Sequence, residues 1–131
     1  MSNHQKFYIN GEWVAPVVPA TLDVINPATE EAYTKISVGS KADVDKAVAA
    51  AKTAFVTFSK TSHADRLALL KRILEVYNER FEDIAAAVSD EMGAPMSFAL
   101  EAQAWAGRAH MEATIAALEN YSFSEKRGAT M

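Results

Sequence analysis

The chain has 131 residues, half of them hydrophobic and 23% charged, which suits one globular domain with a real core and is a globular rather than a disordered composition. Thirteen Lys and Arg against 17 Asp and Glu leave a net charge of -4, the wrong balance for a nucleic-acid module or a polybasic membrane-surface module. The absence of Cys removes disulfides, thiolate nucleophiles and Cys-ligated metal centres, and fits an intracellular, cytoplasmic setting.

Residues 1–10 lack the apolar run of a secretory signal, and no stretch approaches the roughly 18 apolar residues of a membrane span. Asn10-Gly11, between Phe7-Tyr8-Ile9 and Glu12-Trp13-Val14, predicts a tight hairpin, because both residues tolerate positive φ. Pro16 and Pro19 mark a loop. A strand over Leu22 to Ile25 should stop at Asn26-Pro27, where the proline removes a donor and extends its neighbour. After Ala28 to Glu31, alternation through Tyr33, Lys35, Ile36 and Val38 predicts the return strand.

From Gly39 the period becomes helical. Ser40 with Asp43, and Ser62 with Asp65, have the spacing of capping boxes. Behind the first, Val44, Val48, Ala51, Phe55 and Phe58 fall on one face; behind the second, Leu67, Leu70, Leu74, Tyr77, Phe81, Ile84 and Val88 form a heptad-like seam. The seam predicts a helix from Asp65 to Met92 that buries this side, with Asn78 and the charges through Asp83 as the place for a break. Gly93 suits the position after a helix and Pro95 the first turn of the next. That third helix should reach about Leu118. Its many alanines and Gly107 fit either close backbone approach or plain helix propensity.

Taken alone, these residues carry no active site. Gly11, Gly39, Gly93, Gly107 and Gly128 stand too far apart for a phosphate cradle, and there is no G-x-S-x-G elbow. His4, His63 and His110 form no ligand pair and read as surface or capping residues. Trp13 and Trp105 are expected to bury their rings.

The blocks FYINGEWV at 7–14, DVINPATEE at 23–31, SKADVDKAVAAAKTAF at 40–55, ADRLALLKRI at 64–73 and DEMGAP at 90–95 together resemble the opening of the aldehyde dehydrogenase superfamily. The resemblance implies an α/β fold, the N-terminal part of a Rossmann-like aldehyde dehydrogenase, seen here as two β-hairpins followed by about three long helices. It places 1–131 in the N-terminal part of the cofactor-binding domain, with the catalytic and oligomerisation domains outside this chain. The tail SEKRGATM resembles the entry to the strand before the first cofactor motif, so the expectation is an N-terminal portion.

The implied activity is NAD- or NADP-dependent oxidation of a small-molecule aldehyde to a carboxylic acid, in a homo-oligomer with no nucleic-acid or membrane partner. A cysteine thiolate attacks the carbonyl in that family, and this chain has none, so alone it should be inactive. One site carries over by resemblance: a monovalent cation, Na⁺ or K⁺, held by the carbonyls of Val24 and Ile25 and the carboxylate of Glu91. The competing expectation is a stand-alone, non-enzymatic helical interaction module derived from the same fold.

Overall fold

The computed structural model describes residues 3–129, which form two compact units: residues 3–61 with Ser89–Gly93, and residues 62–88 with 94–129. Thr130 and Met131, the end of the expected strand entry, lie outside the described residues.

In the first unit, β1 (Phe7–Ile9) pairs with β2 (Glu12–Val14) in an antiparallel hairpin. Asn10 and Gly11 take φ of 54° and 83°, the paired positive values that the turn requires. β3 (Thr21–Asn26) pairs with β4 (Glu31–Ser37) in a second antiparallel hairpin. Its turn is fixed locally: the Asn26 side chain accepts the Ala28 N–H at 2.9 Å, and Glu30 closes the loop at φ 59°.

α1 (Lys41–Phe58) starts at Ser40, whose N–H and hydroxyl both donate to Asp43 Oδ2, at 2.8 and 2.6 Å. The other Asp43 oxygen accepts the Val17 N–H at 2.8 Å, so one buried carboxylate caps the helix and anchors the proline-bounded loop. Those three donors hold its pKa below the usual carboxylate value, the Ser40 hydroxyl contributing most. The apolar stripe of α1 faces outward, with Phe55 65% and Val44 57% exposed.

The second unit is helical. α2 (His63–Glu79) opens on the Ser62–Asp65 box, in which the Asp65 N–H donates back to the Ser62 hydroxyl at 3.1 Å. α3 (Phe81–Met92) follows, its residues from Ser89 on belonging to the first unit, then α4 (Met96–Phe98), a π-helical segment (Ala99–Ala104) and α5 (Trp105–Asn120). The seam is in phase. Leu67, Leu70, Leu74, Tyr77, Phe81, Ile84 and Val88 are all half-buried, whereas the intervening Leu69 and Ile73 are exposed. The helix breaks at Arg80, with φ -110° and ψ 17°, inside the charged run. Glu82 and Asp83 then sit in the first turn of α3, where carboxylates favour a new helix start.

The core of this unit is alanine. Ala85, Ala99 and Ala104 are almost completely buried, with Phe81, Ile84, Val88, Ala94 and Leu100 packed around them. In the π segment the Ala104 carbonyl accepts the Tyr77 hydroxyl at 2.7 Å. A Cβ on Gly107 would lie 2.9 Å from Tyr77 Cζ, so only glycine admits this ring. Close approach therefore explains Ala99, Ala104 and Gly107, while Ala113, Ala116 and Ala117 are exposed and serve helix propensity alone.

Two expectations need correction. Pro95 precedes α4 as its N-cap rather than entering the first turn. Trp13 and Trp105 do not bury their rings; they are 50% and 49% exposed, because the described residues leave half of each side chain uncovered. Trp13 packs on its hairpin neighbour Tyr8 with the rings tilted by 57° and 5.3 Å between centroids.

Candidate functional site

The bulge in the second hairpin sets the geometry. Val24 faces Thr34 while Ile25 faces Ala32, so Tyr33 is an extra residue on β4 and the ladder is interrupted between Val24 and Ile25. These are the two residues whose carbonyls the resemblance leads one to expect at a cation. A bulge is where backbone oxygens can leave the ladder.

The end of α3 meets this hairpin at two points. Gly93 takes φ 70° directly after α3, and a Cβ there would lie 2.7 Å from Pro27 Cγ. Any side chain would therefore be strained by the backbone and blocked by the proline ring. The second point is polar: the Tyr33 hydroxyl donates to Glu91 Oε1 at 3.3 Å. Pro27 on Gly93 and Tyr33 on Glu91 thus bring the turn and β4 of this hairpin against the end of α3, within the first unit.

Charge favours a cation there. The last turn of α3 contains Asp90 and Glu91 and no basic residue, so two carboxylates sit at the negative end of a helix. Partial burial raises the Tyr33 pKa, and the charges of Glu91 and Asp90 with the hydrogen bond to Glu91 raise it further. Tyr33 accordingly remains a hydroxyl donor. Backbone carbonyls and one carboxylate are hard oxygen donors, suited to Na⁺ or K⁺. Among the described residues no group of three or more His, Cys, Asp and Glu gathers, so a transition-metal centre does not fit.

Tyr33 is the site residue that sequence reasoning missed. It lies 58 positions from Glu91, and an aromatic residue in an alternating strand reads as packing. The histidines behave as capping and surface residues: His63 Nε2 donates to the Leu118 carbonyl near the end of α5 at 2.8 Å, and His4 meets Thr34 Oγ1 at 3.1 Å.

Comparison with known proteins decides the family. The aldehyde dehydrogenase family model matches residues 13–128. The chain belongs to the aldehyde dehydrogenase family. A Staphylococcus aureus protein assigned to the aldehyde dehydrogenases is 48% identical over 128 residues, covering 98% of this chain and 27% of its own length. The crystal structure of an aldehyde dehydrogenase from Bartonella henselae superposes with a TM-score of 0.92 at 49% identity, over 95% of this chain and 26% of that one. An aldehyde dehydrogenase C mutant from Pseudomonas syringae, in complex with NAD⁺ and octanal, gives 0.93 at 44% identity, over 96% and 26%. The chain therefore has the α/β fold of the N-terminal portion of these enzymes and spans about a quarter of their length.

Proposed function

We propose that this aldehyde dehydrogenase chain acts as the N-terminal portion of an NAD(P)-dependent enzyme that oxidises an aldehyde to a carboxylic acid. The family match over residues 13–128 carries this reading. The Pseudomonas syringae structure, with both NAD⁺ and octanal bound, supports the cofactor and substrate class. In this reading residues 1–131 are the first part of the cofactor-binding domain, and the working enzyme is a cytoplasmic homo-oligomer. Among the described residues no helix is long and apolar enough to cross a membrane.

Bound NAD(P) would supply the hydride acceptor in the complete enzyme. The chain has neither a Cys to attack the carbonyl nor a glycine-rich phosphate cradle, so those parts belong to polypeptide beyond it. Its own contribution is structural and electrostatic. The hairpins and helices form a shell of the domain, and Val24, Ile25 and Glu91 hold Na⁺ or K⁺ at the bulge.

The test joins this chain to the remaining length of the Staphylococcus aureus relative and follows NADH or NADPH formation with a series of aldehydes. The fused enzyme should turn over, and the chain alone should match the buffer blank. Turnover by the chain alone, or an inactive but folded fusion that binds no NAD(P), would overturn the proposal in favour of a stand-alone interaction module.

A further inference from the structure

We propose that Asn10-Gly11, the turn of the first hairpin, is a site of spontaneous modification, where the chain converts its own asparagine to aspartate and iso-aspartate. The step balances with water alone. The Gly11 backbone nitrogen, losing its proton to hydroxide, attacks Asn10 Cγ. The new N–Cγ bond closes a cyclic imide as the Cγ–Nδ2 bond breaks, and Nδ2 takes a proton from water and leaves as ammonia. Water then opens the imide at either carbonyl. Breaking the new N–Cγ bond gives aspartate, and breaking the original peptide bond gives iso-aspartate. Either product adds one negative charge to the -4 of the chain.

Five asparagines compete, at positions 3, 10, 26, 78 and 120, and Asn10 alone precedes a glycine, whose missing Cβ leaves the ring free to close. Asn10 is exposed, and among the described residues its carboxamide has no hydrogen-bond partner. Apart from chain neighbours, no described atom lies within 4 Å of where a Gly11 Cβ would sit. Asn26 precedes Pro27, which has no N–H to lose, and its side chain is engaged by the Ala28 N–H at 2.9 Å. Asn120 donates its amide to the Ala116 carbonyl at 2.8 Å, and Asn78 lies in α2, where the next N–H belongs to the helix ladder. The hairpin supplies the mobility that ring closure needs. Its sheet is two strands of three residues, an arrangement that is marginal in water and opens locally. The base is tied to β4, with the Ser37 hydroxyl donating to the Gln5 carbonyl at 2.8 Å, so opening falls at the tip. There Asn10 borders a groove of about 260 Å³ beside Ala47, Ala50, Ala51 and Ala54 of α1. Iso-aspartate lengthens the turn by one backbone atom, which is incompatible with Tyr8 opposite Trp13, and a carboxylate beside these methyl groups opposes re-docking.

The test incubates the full chain in native buffer and maps it by tryptic digestion and mass spectrometry, with a sample digested at zero time as the blank. The peptide spanning 7–35 holds both Asn10 and Asn26, so fragmentation reads the reactive and the blocked asparagine in one molecule. Product at position 10 should grow with first-order kinetics, faster in alkaline than in weakly acidic buffer, and should contain both aspartate and iso-aspartate. The other four asparagines should stay unchanged over the same interval, and Asn10→Gln should abolish the conversion. The Trp13 indole N–H resonance should split as iso-aspartate accumulates, while in Asn10→Asp, which keeps a turn-forming Asp-Gly pair, it should stay single. Conversion at position 10 only after unfolding in urea, or aspartate without iso-aspartate, would overturn the proposal. Equal conversion at Asn3, Asn78 or Asn120 would overturn it too.

Discussion

α1 and α2 carry the same kind of apolar spacing, begin with the same kind of capping box, and end up differently. The seam of α2 is half-buried within its unit, with α5 among its neighbours, and Tyr77 spans the gap to Ala104. The stripe of α1 leaves Val44, Val48, Phe55 and Phe58 exposed. The difference teaches that amphipathic spacing specifies which face will be covered and says nothing about what covers it. In α2 the cover lies further along the same chain, from 27 positions away at Tyr77–Ala104 to 55 at His63–Leu118. The stripe of α1 stays largely open, although β1 lies against this helix.

The comparison breaks first at Gly107. Gly107→Leu should drive a side chain into the Tyr77 ring and displace its hydroxyl from Ala104, at a cost of about 3 kcal/mol by chemical denaturation. A change below 1 kcal/mol would mean that α2 and α5 are not held by this contact. Truncating the two stripes gives a finer contrast. Leu74→Ala should lose about 1 to 2 kcal/mol, while Phe55→Ala, in the exposed stripe, should stay within about 0.5 kcal/mol and weaken binding of a hydrophobic dye. Equal losses at both positions would show that α1 is already covered in solution.

The smallest effect separates the two capping boxes by pH. Both Asp43 and Asp65 have pKa values held below the ordinary carboxylate value, mainly by the Ser40 and Ser62 hydroxyls respectively. A carboxyl depressed on folding contributes stability that is complete above its unfolded pKa and is lost as pH falls through the folded one. Melting temperature should therefore fall on the acid side of the unfolded carboxylate range. Asp43→Asn should flatten that fall more than Asp65→Asn, because Asp43 alone also accepts the Val17 N–H. The reverse order would place the acid sensitivity in α2.

Local chemistry was legible in the sequence wherever a few neighbouring residues decide the outcome. Asn10-Gly11, Asn26-Pro27, Ser40 with Asp43 and Ser62 with Asp65 each act within four positions, and each appears as expected. The seam was legible in phase, and its break falls at Arg80 inside the charged run that marked the place, although the steps of three and four continue across it. The π segment was hidden because alanine promotes a helix without specifying which carbonyl closes each turn. At the candidate site, Val24, Ile25 and Glu91 came from family resemblance and Tyr33 from neither route. A one-residue register shift, which no local signal announces, is what puts that tyrosine out of the ladder.

The alanine core of the second unit has a calorimetric consequence. Among the described residues no large side chain is fully buried; Ala85, Ala99, Ala104 and Ile115 are the hydrophobic residues most protected from water. Heat capacity rises on unfolding in proportion to the apolar area newly wetted. A chain that hides methyl groups and leaves rings such as Trp13, Phe55 and Trp105 in solvent has little such area left to expose. Its unfolding should show a heat-capacity step below the roughly 12 to 15 cal/mol/K per residue of ordinary domains. Its free energy would then vary with temperature along a shallow, nearly straight line, without the curvature that brings most globular proteins toward cold denaturation.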